Sequence, residues 1–336
     1  MKKIQYSVYQ KETSSAGGKA KNDVFDIALK NAYTASYKPS KYRSIRVIQQ
    51  LLSLISAGKN TIWLVQYPAV SSQMMKILQY KLKNVRYSIA VVHDLCSIQG
   101  INKAKDDIHT LKNFDCLIVH NEKMKQYMIE QGYKGKLVCL EIFDYLHDIN
   151  KAVTSPLYNR SVIVAGNLDK SKYLGKLEKI NNCNFHLYGI NKEQNLDHLK
   201  NVIYHGILPS TEIVYKLEGD YGLVWDGDSL CECAGVYGNY LLYNNPHKLS
   251  LYIAAGKPVI VWEKAAVAEF VKKSKIGLVI RSLEELNNLS LYDQYDEFRN
   301  NVLKMKKKLG RGYYMSNALK KAEEGFIYGS EKCERI

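Results

Sequence analysis

Short apolar runs alternate along the chain with longer amphipathic stretches, and this rhythm predicts a repeated strand–turn–helix unit. Most of the apolar runs are nearly continuous over about four to six residues, which is typical of parallel strands covered on both faces. The predicted strands of the first half are Ile4–Val8, Ile62–Val65, Tyr87–Val92, Cys116–Val119 and Lys136–Leu140. Those of the second half are Val162–Val164, Phe185–Tyr188, Val202–Tyr204, Tyr221–Val224, Pro258–Val261 and Gly277–Ile280.

The spacing of these strands predicts an α/β protein with two doubly wound parallel-sheet halves. Connections of about 15–25 residues fit crossover helices. A polar segment that contains a proline, His147–Asn159, precedes the first predicted strand of the second half. This segment is predicted to be the boundary between the two halves. We therefore expect one domain over residues 1–150 and a second over 151–316, with a C-terminal helix at about 317–336 packing back on the first.

Composition narrows the class of protein. The 336 residues are 46% hydrophobic and include 26 tyrosines, enough to fill an interior, which argues against a disordered chain. The N-terminus leads into no apolar region, and no apolar run approaches the ~20 residues of a membrane span, so we expect a cytoplasmic protein. Its seven scattered cysteines include only one close pair, Cys231 and Cys233, which favours reduced thiols over a zinc site.

Charge is unevenly distributed. Lysine and arginine exceed aspartate and glutamate by 48 to 33, and no acidic residue occurs between Asp26 and Asp94. A second basic cluster spans Lys304–Arg311. Such surfaces attract nucleic acid, anionic lipid head groups or a nucleotide, although a solvated basic surface is the plain alternative. The predicted location therefore extends to the inner face of the cell membrane, with an anionic membrane surface as a partner.

The most specific segment precedes the predicted strand Pro258–Val261. Asn245 is predicted to cap a helix whose first residue is Pro246 and which ends at Gly256. The N-terminus of this helix would present the N–H groups of His247 and Lys248 beside a lysine side chain, an arrangement suited to a pyrophosphate. An ordinary capped helix with a surface lysine is the alternative.

Glycine follows three consecutive strands of the second half, at Gly166-Asn167, Tyr188-Gly189 and Gly206. Because glycine lets the backbone approach a ligand closely, the three together suggest a nucleotide cradle. Asp226-Gly227-Asp228 follows another strand and could belong to a metal site. With Glu232 as the only carboxylate nearby, we favour a loop near the ligand without a metal, and a magnesium site is the alternative.

Two further segments of the first half could carry chemistry. Ser15, Gly17 and Gly18 belong to a glycine-rich stretch that lacks P-loop spacing, and it is read either as a flexible loop closing over a sugar or phosphate, or as a surface turn. His93-Asp94 ends a strong strand, where an aspartate beside a histidine can act as a general base toward a sugar hydroxyl. An aspartate that caps the next helix is the alternative.

These features resemble a GT-B glycosyltransferase, and more closely the bacterial β-1,6-galactofuranosyltransferases of O-antigen synthesis. The chain is similar, more distantly, to the streptococcal glucosyltransferases that extend glycans on serine-rich adhesins. The residues that carry the resemblance are Tyr221–Ser229, Asn244–Lys248, Ser250–Tyr252, Ala165–Leu168, His93-Asp94 and Phe143–Leu146.

The resemblance implies two Rossmann-like domains facing across a cleft, with UDP held by the C-terminal one and the acceptor by the N-terminal one. It places Lys248 on the diphosphate with Asn244 and Asn245 nearby. It also places the loops at Gly166, Tyr188 and Gly206 around the nucleoside, and the loop at Ser15–Gly18 near the donor. Lys170 stands where a relative uses arginine.

Retaining enzymes of this fold commonly carry a glutamate pair in the segment that corresponds to Tyr243–Leu251, which here contains no carboxylate. The departure favours an inverting transfer of a hexosyl group without metal or other cofactor, and the resemblance implies galactofuranose as that group. Asp94 is the first candidate for the base and His93 the second. A glycan or lipid-linked oligosaccharide would be the acceptor, and a homo-oligomer stays open.

Three alternatives remain at this stage. The first is a UDP-glucose-dependent transferase acting on protein or surface glycans. The second is a basic nucleic-acid-binding module, although the sequence contains no recognised nucleic-acid motif and nucleic acid is not an expected partner. The third is a non-catalytic partner of another transferase.

Overall fold

A computed structural model describes residues 1–6, 16–37, 40, 42–56, 58–68, 72–98 and 105–327. Within it the chain forms two compact units. The first unit comprises Met1–Lys11, Lys21–Leu140 and Tyr314–Ile336. The second comprises Glu12–Ala20 and Glu141–Tyr313.

The first unit is built on a six-stranded sheet in which every pairing is parallel. Its strands are β1 (Lys2–Tyr6), β2 (Thr34–Ala35), β3 (Thr61–Tyr67), β4 (Tyr87–Val92), β5 (Cys116–Val119) and β6 (Lys136–Cys139), in the order β2-β1-β3-β4-β5-β6. The connecting helices are α1 (Ala16–Lys30), α2 (Arg43–Ser56), α3 (Ser72–Leu82), α4 (Lys105–Leu111) and α5 (Glu122–Glu130), and the first residues of α1, up to Ala20, belong to the second unit.

The second unit contains another parallel six-stranded sheet. Its strands are β7 (Ser161–Asn167), β8 (Asn184–Ile190), β9 (Val202–Tyr204), β10 (Tyr221–Val224), β11 (Val259–Trp262) and β12 (Gly277–Ile280). Its helices are α6 (Ile213–Lys216), α7 (Gly235–Tyr240), α8 (His247–Ala254), α9 (Ala268–Ser274) and α10 (Tyr295–Gly310), with 3₁₀ helices at Leu168–Lys170, Lys172–Lys179 and Leu283–Asn287. The order β9-β8-β7-β10-β11-β12 reverses direction between β7 and β10, where ligands of doubly wound sheets bind.

The predicted fold class is confirmed, because both sheets are parallel and carry crossover helices. Continuous apolar runs became central strands: all seven residues of β3 and all four of β5 are buried. The sequence pattern missed β2, since this strand has only two residues, Thr34 and Ala35, and both are exposed. An exposed edge strand buries no side chain and therefore leaves no hydrophobic signal.

The C-terminal helix α11 (Tyr313–Ile327) contributes to the first unit from Tyr314 onward. Its Glu323 forms an ion pair with Lys3 at 2.5 Å and accepts a hydrogen bond from the Tyr33 hydroxyl at 2.8 Å. Burial, reinforced by Glu323, raises the pKa of Tyr33 far above its ordinary value, so this hydroxyl remains a donor. The helix is thus tied to β1 and to the segment between α1 and β2.

No helix in the described ranges is both long and apolar enough to cross a bilayer. Within the same ranges, six cysteines are free thiols and no disulfide is formed.

Candidate functional site

A cavity of about 430 Å³ lies in the second unit, at the carboxyl ends of β7, β8 and β10. This is the point at which the strand order reverses. Its lining residues are Gly17, Tyr145, Ala165, Gly166, Asn167, Lys170, Tyr188, Gly189, Ile190, Ile207, Leu208, Ser210, Ile213, Asp226, Pro246, His247, Lys248 and Leu251. Nine residues named from the sequence are therefore brought together here: Gly17, Gly166, Asn167, Lys170, Tyr188, Gly189, Asp226, His247 and Lys248.

Two strand-end glycines form the floor of this cavity. Gly166 and Gly189 are paired neighbours in β7 and β8, and both have positive φ, at 136° and 133°. A Cβ atom on Gly189 would lie 1.7 Å from the carbonyl oxygen of Gly166, so no side chain fits at this position. The space above Gly166 is open, which leaves its backbone accessible to a ligand.

The third glycine supports this floor from outside the lining. Gly206 does not line the cavity, but its carbonyl accepts a hydrogen bond from the Gly189 N–H at 2.8 Å. The two residues that follow it, Ile207 and Leu208, provide an apolar wall.

Helix α8 is fixed over the cavity by a close contact with β10. The Tyr252 ring lies against Gly222, where a Cβ atom would come within 2.0 Å of the ring. The Tyr252 hydroxyl accepts a hydrogen bond from the Ala165 N–H at 2.8 Å, which ties the helix to the end of β7 as well. Glycine at position 222 therefore lets the helix approach the sheet and directs its N-terminus at the cavity.

The predicted cap of α8 is wrong in one detail. Pro246, with φ −67° and ψ 135°, is the N-cap, and His247 is the first helical residue. Asn245 is buried and donates its amide to the carbonyl of Glu141 at 2.8 Å instead of capping the helix. Neither Asn244 nor Asn245 lines the cavity, and within the described ranges the buried Asn244 Oδ1 has no hydrogen-bond partner.

The side chain of Lys248 lies inside the cavity mouth and is anchored at its tip. Its ammonium forms an ion pair with Asp226 at 2.7 Å and donates to the Trp225 carbonyl at 3.3 Å. Both side chains are largely shielded, at 15% and 18% exposure, so the pair is held more firmly than a surface salt bridge. Asp226 thereby fixes the ammonium of a residue in the first turn of α8, and both residues line the cavity.

His247 is an uncharged imidazole beside this cation. Burial, helped by the nearby Lys19 ammonium, lowers its pKa to about 3, while a hydrogen bond with the Asp144 backbone acts in the opposite direction. Its ring lies against Tyr145 at a centroid distance of 5.1 Å and meets Phe143 edge-on at 6.2 Å. Its Nε2 atom is buried and has no hydrogen-bond partner among the described residues, so it is available to a ligand in the cavity.

Tyr188 forms the base of the cavity at the end of β8. Its ring lies parallel to His205 at 4.4 Å, and its hydroxyl accepts from the Glu218 N–H at 3.0 Å. His205 Nε2 in turn lies 3.0 Å from His186 Nδ1, and burial lowers the pKa of both imidazoles. With Glu218 these histidines are the group that could hold a metal ion within the described part of the chain.

The geometry of that group favours a hydrogen bond over a metal. The two rings are within 16° of parallel and their centroids are 5.1 Å apart, so the two nitrogens face each other almost in line. A tetrahedral ion would need both lone pairs turned toward a common point outside that line.

Three other predicted residues have distinct positions. Asn167 caps the 3₁₀ helix that follows β7 by accepting from the Asp169 N–H at 3.2 Å. Lys170 lies with its ammonium 4.6 Å from the centre of the Tyr237 ring. Asp228 is exposed and outside the cavity lining, and its carbonyl accepts from Lys176 at 2.8 Å. Asp226 and Asp228 therefore do not act as one cluster.

The glycine-rich stretch is helical where it is described. Gly17, Gly18 and Lys19 form the first turn of α1, which corrects the flexible loop predicted there, while Ser15 lies outside the described residues. Gly17 lines the cavity and has open space around it, whereas Gly18 is buried. Lys19 donates to the Leu146 carbonyl at 2.8 Å and lies 4.7 Å from the centre of the Tyr145 ring.

The predicted base residues belong to the first unit. His93 is buried behind the end of β4, with Nε2 2.8 Å from Gln66 Oε1 and its backbone N–H donating to the Tyr67 carbonyl. Asp94 is exposed, and its charge lies near enough to Lys21 to raise that residue's pKa against the larger lowering effect of burial. The carboxylate is thus presented beyond the strand end while its neighbour is fixed.

Several lining residues escaped prediction from the sequence. Tyr145 is buried, and its hydroxyl donates to the Ser210 carbonyl at 3.0 Å, which joins two sides of the cavity. Ile207, Leu208 and Ile213 add apolar surface. Only Tyr145 left a signal, in the segment Phe143–Leu146, whereas the others follow short or exposed elements.

Chemically, the cavity combines backbone groups, cations and apolar walls. The first turn of a helix has N–H groups without intrahelical acceptors, and here that turn, with Lys248 in it, lines the cavity. Such an arrangement binds a doubly charged phosphate group, and the remaining volume suits a sugar and a base.

Comparison with known proteins agrees with this arrangement. Residues 3–142 match the family "Glucosyltransferase 3-like, N-terminal domain", and residues 162–322 match "Glucosyltransferase 3-like, C-terminal domain". The β-1,6-galactofuranosyltransferase WbbI of Escherichia coli (strain K12) is 30% identical over 329 residues, which cover 90% of this chain and 93% of that protein. Glucosyltransferase 3 of Streptococcus gordonii is 26% identical over 255 residues, 73% of this chain and 71% of the relative.

Solved structures share the fold over almost the whole chain. Anabaena HepE in complex with UDP-glucose has a TM-score of 0.57 at 12% identity, covering 97% of this chain and 99% of that one. AviGT4, a glycosyltransferase involved in avilamycin A biosynthesis, has a TM-score of 0.59 at 10% identity, covering 98% and 99%. Both are GT-B glycosyltransferases, so the two-sheet architecture is that fold.

Proposed function

The chain belongs to the glucosyltransferase 3-like family, and on that premise we propose that it transfers a hexosyl group from a UDP-sugar to a glycan hydroxyl with inversion. It is a glycosyltransferase. The nucleotide, the sugar, the acceptor and the stereochemistry are the parts that we propose here.

One observation carries the proposal: the N-terminus of α8 and the Lys248 ammonium open into the same cavity as the accessible backbone of Gly166. A diphosphate needs concentrated positive charge and N–H donors, and this corner supplies both. A nucleoside needs a close approach to backbone and a flat apolar surface, which the glycine floor and the wall at Ile207 provide. These features support UDP binding with its diphosphate at α8.

The leaving group explains why no metal is proposed. Bond cleavage at the anomeric carbon transfers charge to the β-phosphate of UDP, and fixed cations or N–H groups stabilise that charge. Lys248 and the α8 N-terminus would meet this need, while Asp226 is engaged with Lys248. Neutral His247 would contribute a hydrogen bond through Nε2 without adding charge.

We propose Asp94 as the base that removes the proton of the acceptor hydroxyl. It is an exposed carboxylate at the end of a buried strand, as a residue that must meet a second substrate should be. His93 is buried and already hydrogen-bonded to Gln66, so its role would be to position the neighbouring segment. In the reaction, the hydroxyl oxygen bonds to the anomeric carbon, the sugar–phosphate bond breaks, and Asp94 keeps the proton.

The WbbI similarity, at 30% identity over nearly the whole chain, supports galactofuranose as the transferred sugar. The family name and the streptococcal relative support glucose as the second candidate. A glycan, free or lipid-linked, would be the acceptor, since both relatives are glycosyltransferases by name.

The decisive experiment compares Lys248→Ala with a matched control, Lys272→Ala, which removes an exposed lysine on α9 outside the cavity. Purified proteins would be titrated with UDP by calorimetry and assayed with UDP-galactofuranose and UDP-glucose on simple alkyl glycosides. We expect Lys248→Ala to lose at least about tenfold in UDP affinity and turnover, because a charge-assisted contact is removed. The control should behave as wild type.

Equal UDP binding by Lys248→Ala and wild type would contradict the diphosphate position. Turnover with UDP-glucose but not with UDP-galactofuranose would support the proposed UDP site but identify glucose, not galactofuranose, as the transferred sugar. Full loss of activity in EDTA would overturn the metal-independent reaction.

A further inference from the structure

Helix α2 in the first unit is oriented against the usual rule for a helix on a protein surface. Ile45, Ile48 and Leu52, spaced three and four residues apart on one face, are 45%, 58% and 60% exposed. Surface helices normally turn such a stripe toward the core. The apolar side of α2 instead points outward.

The polar side of the same helix faces the protein. Ser53 is buried, and its hydroxyl is hydrogen-bonded to that of Ser36 at 2.5 Å. Gln49 is half-buried and accepts from the Ser40 N–H at 2.9 Å. Because specific hydrogen bonds hold this orientation, the outward apolar face belongs to the packed state of the helix.

The neighbouring surface extends this apolar character. Helix α3, which packs against α2, exposes Ile77 at 39% and Tyr80 at 67%. Exposed apolar side chains on two helices that pack together mark a region that contacts another molecule or a membrane.

The charge of the sequence around α2 indicates what kind of molecule binds this face. The 67 positions between Asp26 and Asp94 contain ten lysines and arginines and no acidic residue, and Lys59 and Lys83 of this stretch are exposed. A basic segment with an exposed aliphatic stripe matches the interface of an anionic bilayer, where the stripe enters the acyl boundary and the cations meet phosphate head groups. We propose that the outward face of α2, formed by Ile45, Ile48 and Leu52, docks this protein on an anionic lipid surface.

Two other occupants fit the same observations less well. In a symmetric dimer the same patch meets itself, so two copies of this basic, acid-free segment would be pressed together. Single-stranded nucleic acid is bound through stacking on aromatic rings, whereas this stripe is isoleucine and leucine. The docking face also lies in a different unit from the cavity, so the inference does not depend on the proposed reaction.

The test uses the full chain and vesicles of phosphatidylcholine, with or without about an equal part of phosphatidylglycerol. The variant is Ile48→Gln with Leu52→Gln, which removes apolar surface without changing charge. The matched control is Ile129→Gln with Ile203→Gln, two isoleucines that are 48% and 50% exposed elsewhere. Co-sedimentation measures binding, and circular dichroism checks the fold.

We expect wild type and control to bind anionic vesicles and not neutral ones. The α2 variant should bind anionic vesicles at least about tenfold more weakly, because two side chains no longer leave water. Undiminished binding by the variant, or no vesicle binding by wild type, would overturn the proposal. A dimer that the α2 variant converts to monomer would instead assign the face to a second copy, and tight salt-sensitive binding of an oligonucleotide abolished in the variant would assign it to nucleic acid.

Discussion

The two parallel sheets of this protein differ in strand order and in the chemistry at their carboxyl ends. In the second unit the order reverses between β7 and β10, and the cavity at that point holds glycine backbone, the α8 N-terminus and Lys248. In the first unit β4 is followed by buried His93 and exposed Asp94. One sheet end thus presents cations and N–H groups, and the other presents a carboxylate.

The difference shows how one architecture can supply opposite functions. The residues that follow parallel strands all lie at the edge of the sheet formed by the carboxyl ends of those strands. The identity of these residues therefore decides the chemistry at that edge. Diphosphate binding needs donors that keep their charge, while proton transfer needs an acceptor whose charge changes. Under the proposed function the second unit holds the leaving group and the first unit supplies the base.

The largest expected effect comes from the first unit. Replacing Asp94 by asparagine preserves shape but removes the proton acceptor, so kcat should fall by about a hundredfold to ten-thousandfold. UDP affinity should be unchanged, since the cavity residues belong to the other unit. Steady-state kinetics and calorimetry on the same preparation separate the two quantities.

His93→Gln provides the comparison for that variant. A role in positioning predicts a smaller loss, with a pH profile of kcat that keeps its wild-type shape. Asp94→Asn turnover within about threefold of wild type would remove Asp94 as the base and make another first-unit carboxylate the candidate.

Much of this contrast could be predicted from the sequence, because it depends on local patterns. The strands Tyr87–Val92, Cys116–Val119, Tyr221–Val224 and Gly277–Ile280 have the predicted bounds. Asn121, a residue type that favours helix caps, caps α5 and accepts from the Met124 N–H at 3.0 Å. Continuous apolar runs and caps are properties of neighbouring residues, so a single sequence contains them.

Residues whose roles depend on distant partners were harder to interpret. Asn245 looked like a helix cap from its neighbours, but its amide is used by Glu141, more than a hundred positions earlier. The partner of Lys248 is Asp226, which the sequence grouped with Asp228 instead. Gly222 was named only as part of the segment Tyr221–Ser229, and its own role did not emerge because it comes from the Tyr252 ring lying against it.

A second, smaller effect tests the glycine floor of the cavity. Gly189→Ala forces a Cβ atom to 1.7 Å from the Gly166 carbonyl, so β7 and β8 must separate. We expect a loss of about 3 kcal/mol in the free energy of unfolding, combining overpacking with backbone strain at positive φ. Urea denaturation measures this loss directly.

Gly166→Ala is the matched control, because it shares the positive φ but has no heavy atom within 4 Å of the added carbon. Only the backbone strain of about 1 kcal/mol should remain, while UDP binding should weaken where the methyl group enters the cavity. Equal destabilisation by the two variants would show that the close strand contact is not what requires glycine at 189.

The smallest expected effect compares a buried histidine from each unit. Burial lowers the pKa of His247 to about 3 and that of His120 to about 4, both below the ordinary value of 6.5. As the pH falls below 6.5, these histidines are protonated in the unfolded chain but stay neutral in the folded one. The free energy of unfolding therefore decreases as the pH falls. At pH 5, each histidine should have lowered the free energy of unfolding by about 2 kcal/mol.

Thermal unfolding measured between about pH 8 and pH 5 checks this prediction. The slope of stability against pH reports the number of protons taken up on unfolding. His247→Phe keeps a ring against Tyr145 but cannot titrate, so its unfolding temperature should fall less steeply than that of wild type. His198→Gln, at an exposed position of the second unit, should retain the full slope. If His247→Phe and wild type fall in parallel, His247 takes up a proton without unfolding, and the neutral imidazole at the cavity mouth must be abandoned.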